Sequence, residues 1–167
     1  NAYGARVVLI TDPPVVSVLQ AGARAAGLHV VDLDILASTP RIGAVANGIS
    51  IIDFPIDEKE ATQKSKKLIH DLSPKAIVTI ERGGPNEFGV MHTAFGNDLS
   101  ESTAKVHKLI DEARENGIFT VGCLDLGNEI GGGALYETLR EIWPYGAKCK
   151  CPCGGGIACV TETDVPL

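Results

Sequence analysis

Two short segments concentrate the side chains that do chemistry. The first, Glu81-Arg82-Gly83-Gly84-Pro85-Asn86-Glu87-Phe88-Gly89, mixes both signs of charge with three glycines. Glycine lets the backbone approach a small ligand, and the Arg82 guanidinium can grip a carboxylate through two parallel hydrogen bonds. A polar turn in which Glu81 and Arg82 pair in solvent is the plain alternative. The second segment, Gly122 to Gly133 (GCLDLGNEIGGG), holds five glycines in twelve residues and opens a helix. Its N–H groups can face an anion, and Asp125 and Glu129 suit a divalent cation or proton transfer. A structural turn would also use such glycines. The loop lacks the Gly-Lys-Ser/Thr of a phosphate-binding loop and the glycine spacing of a dinucleotide fingerprint.

A third signal is Cys149-Lys150-Cys151-Pro152-Cys153. Alternation along an extended chain puts three thiols on one side, but zinc sites ordinarily use Cys-x-x-Cys pairs. Free thiols or one disulfide are therefore the favoured reading, with zinc or an iron–sulfur cluster the minor one. Cys123 and Cys159 read as core residues in strands. Among the histidines, His29, His70 and His107 read as structural or solvated. His92 follows the first glycine-rich segment and is a candidate proton carrier. No Gly-x-Ser-x-Gly elbow is present, so serine hydrolase chemistry lacks its signature.

These segments need a scaffold, and alternating β and α patterns supply one. Arg6 to Thr11 reads as a buried strand, Val15 to Ala26 as a helix ending at Gly27, and Leu28 to Leu33 as a second strand. Asp34 to Gly48 reads as a loop, and Ile49 to Ile52 as a short edge strand. Asp57 to Leu72 has helical periodicity with acids in its first turn. Ala76 to Ile80 is apolar enough for a strand covered on both faces. A helix over Ser100 to Asn116 with Ser100 as N-cap, a strand Ile118 to Cys123, a helix Ala134 to Ile142 and a last strand Gly156 to Thr161 complete the pattern. The expected fold is α/β: one domain over residues 1–167, with an open, mostly parallel sheet, helices on both faces and a ligand site at the strand carboxyl ends. Glu81, Asp125 and Asp164 all follow expected strand ends.

Together, ERGGPNEFG and DLGNEIGGG resemble the paired motifs of the D-glutamate cyclase family, C-terminal domain. The similarity runs from about Ala76 to Asp164, and Asn128-Glu129-Ile130-Gly131 is its specific part. Leu124 and Leu126 stand where the family has glycines, and Glu87-Phe88-Gly89 where it commonly has Ala-Asp-Gly, which implies a bulkier, more apolar pocket. Family members continue into a Ser-Asn-Trp-Gly segment, so the chain is expected to be part of a longer protein. The resemblance implies a lyase that cyclises D-glutamate to 5-oxo-D-proline with loss of water, or acts on a related small carboxylate. It assigns catalysis to Glu81, Asp125 and Glu129. Substrate binding falls to Arg82, Gly83, Gly84, Asn86, Gly89, Asn128, Gly131, Gly132 and Gly133. Mg²⁺ or Mn²⁺ at Asp125, Glu129 and Glu81 is the expected cofactor. A metal-dependent hydrolase of a phosphate ester or lactam, and a non-catalytic ligand-binding domain, are the competing readings.

Composition narrows the partners. The net charge of -6 gives no reason to expect nucleic acid. No run approaches the 18 apolar residues of a membrane span, so a soluble protein is expected. Five cysteines are an odd number for a disulfide framework, which favours reduced thiols in the cytoplasm or mitochondrial matrix. Self-association into a homo-oligomer stays open.

Overall fold

The computed structural model describes residues 5–38 and 47–167. The chain divides into two compact units, Asn1–Pro55 and Ile56–Leu167, and each contains an open, all-parallel sheet of three strands. The α/β class follows from the βα alternation, but the strands form two sheets where one was expected.

In the first unit β1 (Val7–Thr11), α1 (Val16–Ala25), β2 (His29–Val30), α2 (Leu33–Ser38) and β3 (Gly48–Asp53) follow in order. The sheet order is β1-β3-β2, so the segment expected at an edge is the central strand. The reason is its run of buried residues, Gly48 to Ile51, hydrogen-bonded on both sides. Ile49 and Ile51 join Ala23 of α1 as the core, with Val7, Leu9, Leu19 and Val30 packed around them. Gly27 takes φ 76 just past α1, as its C′ position requires. The expected loop from Asp34 begins as helix α2, and its residues 39–46 lie outside the described residues.

The second unit carries all the candidate chemistry. It runs α3 (Glu58–Leu72), β4 (Ala76–Ile80), α4 (His107–Glu115), β5 (Phe119–Cys123), a 3-10 turn (Gly132–Leu135), α5 (Tyr136–Ile142) and β6 (Val165–Pro166), with sheet order β4-β5-β6. The Asp57 carboxylate caps α3 by accepting from the Glu60 N–H at 2.9 Å. Ala61, Ser65, Leu68 and Ile69 form its buried stripe, at the spacing that puts one helical face inward.

Three expectations change here. Ala76, Val78 and Ile80 of β4 are exposed, so one face of this apolar strand is uncovered; only Thr79, pointing the other way, is buried. The helix expected from Ser100 starts at His107. Ser100 does not cap it, because its hydroxyl accepts from the Met91 N–H at 3.0 Å, while the buried Lys105 ammonium donates to the Ser100 and Thr103 carbonyls. The expected strand Gly156 to Thr161 is buried except at Val160, but is no strand. Its N–H groups are spread over four loop carbonyls: Ile157 donates to Tyr145, Ala158 to Gly146, Cys159 to Gly127 and Val160 to Pro85.

His107 is 4% exposed, with Nε2 3.9 Å from a Glu58 carboxylate oxygen. Burial, helped by the Lys108 charge, lowers its pKa to about 4. The unfolded chain therefore takes up a proton on falling below 6.5 that the folded chain refuses until about 4. Stability should drop across that window by up to about 3 kcal/mol as pH falls. Denaturant melts from pH 7 to 4 should show this slope in the parent and lose most of it in His107→Gln; an unchanged slope would contradict the assignment.

Candidate active site

Parallel pairing sets the first distance. Ile80 lies opposite Cys123 at the ends of β4 and β5, so the chain leaves both strands at one rim, through Glu81 and Leu124-Asp125. Glu81 adopts φ 47, a left-handed conformation uncommon for a residue with a side chain, while its N–H donates to Cys123 O at 2.8 Å. The sharp turn sends the first motif over the sheet edge.

There the two motifs bond to each other. Gly83 and Glu129 form an antiparallel bridge. Gly84 N–H donates to Asn128 O at 2.9 Å, and Ile130 N–H donates to Arg82 O at 2.8 Å. Gly84 is required by space: a Cβ there would overlap the Cys159 sulfur and lie 2.9 Å from Ile130 Cγ1. Gly122 is required likewise, since its Cβ would stand 2.5 Å from Ile130 O.

This pairing buries Glu129 to 4% exposure beside the exposed Asp125. Burial raises the Glu129 pKa, and the Asp125 charge and a hydrogen bond between the two carboxyls raise it further; the Leu126 N–H, 3.3 Å from Oε2, acts the other way. A buried acid whose pKa is raised, next to an exposed acid, is an arrangement suited to proton transfer. Cys159, fully buried nearby, has its thiol pushed up to about 12 by burial and stays a neutral wall of the site.

The other expected binders are engaged within the protein. Arg82 Nη2 donates to Ala104 O at 2.8 Å. The N–H groups of Gly131 and Gly133 donate to Thr161 O at 2.9 and 3.2 Å, and that of Gly132 to Glu129 O at 3.0 Å, so all three N–H groups hold the loop itself. Gly89, at φ 77, closes a turn onto Asn86 O. Asn86 is 2% exposed: Oδ1 accepts from the Phe88 and Val90 N–H groups, and Nδ2 donates to Gly156 O at 2.8 Å. Asn128 Nδ2 donates to His92 O at 2.9 Å. Asp164 is at neither motif, its carboxylate accepting from the Thr120 N–H and hydroxyl near the start of β5.

His92 leads to a cluster that spacing alone obscured. Its Nε2 lies 3.2 Å from Cys151 Sγ and 3.8 Å from Cys153 Sγ, while Cys149 Sγ lies 3.3 and 3.4 Å from those two sulfurs. Among the described residues, this is the one group of three or more His, Cys, Asp or Glu ligand atoms able to hold a metal ion, all within 4.8 Å of one another. Glu81, Asp125 and Glu129 do not form a second. Burial lowers the His92 pKa, which favours the neutral imidazole that binds a metal. The sequence offered the cysteines but not their partner, which enters from a loop 59 residues before Cys151.

The family described as D-glutamate cyclase-like, C-terminal, matches residues 1–167. The chain belongs to this family. No curated protein sequence matches it, and no helix among the described residues is long and apolar enough to cross a membrane. Within this cyclase-like domain, each residue of the Asn128-Glu129-Ile130-Gly131 core has a separate task. Asn128 reaches the His92 loop, Glu129 is the buried acid, Ile130 is fully buried, and Gly131 takes φ 109, which a side chain would strain.

Gly84→Ala should cost about 1–3 kcal/mol through overpacking against Cys159 and Ile130. Gly22→Ala, in the interior of α1 with nothing within 4 Å of its Cβ, should be neutral or stabilising by up to about 1 kcal/mol. Thermal melts compare the two, and equal effects would contradict the close packing of the motifs.

Proposed function

We propose that this domain is a lyase that cyclises D-glutamate, or a closely related small dicarboxylate, to its 5-oxo lactam with loss of water. The observation that carries the reading is Glu129, buried and with its pKa raised by that burial, beside the exposed Asp125, in a domain of the D-glutamate cyclase-like family.

The chemistry has two demands. The substrate ammonium must lose a proton before its nitrogen can attack the distal carboxyl carbon, and the carboxyl oxygen must leave as water. In the proposed roles, the Asp125 carboxylate at the rim accepts one ammonium proton, the freed amine attacks the distal carboxyl carbon to form the N–C bond, and the Glu129 carboxyl donates its proton to a carboxyl oxygen. The second N–H proton, now acidic, passes through the Glu129 carboxylate to the same oxygen, the C–O bond breaks and that oxygen leaves as water. Asp125 then returns its proton to the neighbouring Glu129, which restores the starting state. Arg82 supplies positive charge toward the substrate carboxylates, and the loop backbone around Gly83, Gly84 and Gly89 shapes the pocket.

A second reading rests on the same pair. Two neighbouring carboxyls that repel each other are relieved by a divalent cation as well as by a proton, so Mg²⁺ or Mn²⁺ at Asp125 and Glu129 would act as Lewis acid for lactam formation or for hydrolysis.

Incubation with D-glutamate, L-glutamate or 5-oxoproline, with Mn²⁺ or with chelator, followed by chiral chromatography, separates these readings. The proton-carrier reading expects D-selective interconversion that survives chelation and falls as pH rises through the raised Glu129 pKa. Glu129→Gln should then lower kcat by about 10²–10⁴ while the fold persists. Turnover only with Mn²⁺ supports the cation reading. Absence of interconversion under every condition, with ligand-induced shifts in Tm, would leave a binding domain and overturn the lyase.

A further inference from the structure

We infer that His92 Nε2 and the Sγ atoms of Cys149, Cys151 and Cys153 bind one zinc ion, which staples the 81–98 loop to the 146–156 loop. This inference does not depend on the reaction proposed above.

Geometry comes first. A tetrahedral zinc with three thiolates and one imidazole places sulfurs about 3.8 Å apart and sulfur and nitrogen about 3.6 Å apart, from bonds of about 2.3 and 2.0–2.1 Å. The observed separations are 3.2, 3.3, 3.4 and 3.8 Å. Four donors converging within 4.8 Å leave room for a single ion and not for a multi-iron cluster. Three thiolates with one imidazole are a soft, closed set that selects zinc over Mg²⁺ or Mn²⁺, and four protein ligands mark a structural site.

The surroundings are built for sulfur that carries charge. The Gly155 N–H and Asn86 Nδ2 point at Cys153 Sγ from 3.4 and 3.5 Å, and the Cys153 N–H points at Cys151 Sγ from 3.4 Å. Such N–H donors support metal thiolates from outside the ligand set. A Cβ on Gly155 would lie 2.9 Å from Asn86 Nδ2, so glycine there lets the amide reach the sulfur.

The fold supplies the need. Between β4 and α4, and between α5 and β6, the chain has no regular element, yet Asn86, Met91, His92, Ile157 and Cys159 are all buried there. Long irregular segments in a compact unit lack ladder hydrogen bonds, and a cross-link restricts the unfolded chain most when it closes a long loop. Lys150 N–H donates to Gly96 O at 2.9 Å and Cys149 N–H to Gly155 O at 2.9 Å, so the backbone already brings the loops into register for the ion.

The test is metal content and spectrum of the purified 167-residue chain. Elemental analysis should find one zinc per chain. Cobalt exchange should give the intense visible bands of tetrahedral Co²⁺ with thiolate charge transfer. Cys151→Ser and His92→Ala should weaken cobalt binding at least 10-fold, and Cys123→Ser, a β5 residue outside the cluster, should leave it unchanged. Chelator should lower Tm in the parent. Should a ligand variant fail to fold, the parent's stoichiometry and cobalt spectrum still decide. A parent chain that is folded, carries no metal and takes up neither zinc nor cobalt would overturn the site, as would cysteines recovered as a disulfide or an octahedral cobalt spectrum.

Discussion

The second unit depends on two backbone hydrogen bonds, Gly84 N–H to Asn128 O and Ile130 N–H to Arg82 O. They join loops that leave adjacent parallel strands, and nothing in a parallel sheet requires such loops to pair. Pairing demands a backbone with no Cβ at 84 and 122 and a left-handed turn at Glu81. Once it forms, Glu129 has no path to solvent comparable to that of Asp125, and burial raises its pKa. The chemistry proposed for the site is therefore a consequence of backbone geometry, which explains why five glycines sit within twelve residues of the second motif.

Polar side chains that look like ligand binders in the sequence work mainly as internal braces. Asn86 ties its own turn to Gly156, and Asn128 ties the acidic loop to the backbone of His92. Through that bond the Cys149-Cys151-Cys153-His92 cluster and the carboxyl pair belong to one continuous network.

Regular elements were legible where local rules govern. α3 follows from its Asp57 cap and apolar stripe, and α1 from its Gly27 stop. The motifs at the β4 and β5 ends follow from strands that deliver them. What escaped reading was decided by distant partners. Gly156 to Thr161 has strand composition, but its hydrogen bonds go to three separate loops. Ser100 has the side chain of an N-cap, but Met91 takes it. The three alternating cysteines lack a paired spacing because their fourth partner arrives from another loop, and no local pattern announces a histidine so far upstream. The β3 segment was too short to rank as central until its neighbours on both sides were known.

Loop pairing buries Glu129 and so raises its pKa above that of an ordinary glutamate, with the Asp125 charge adding to the rise. Carbon-13 NMR of the glutamate side-chain carboxyls across pH, in the parent and in Asp125→Asn, measures it directly. One carboxyl should titrate above the ordinary glutamate range, assigned by its loss in Glu129→Gln and moving down in Asp125→Asn. A Glu129 that titrates with the exposed glutamates, indifferent to the charge at position 125, would contradict it.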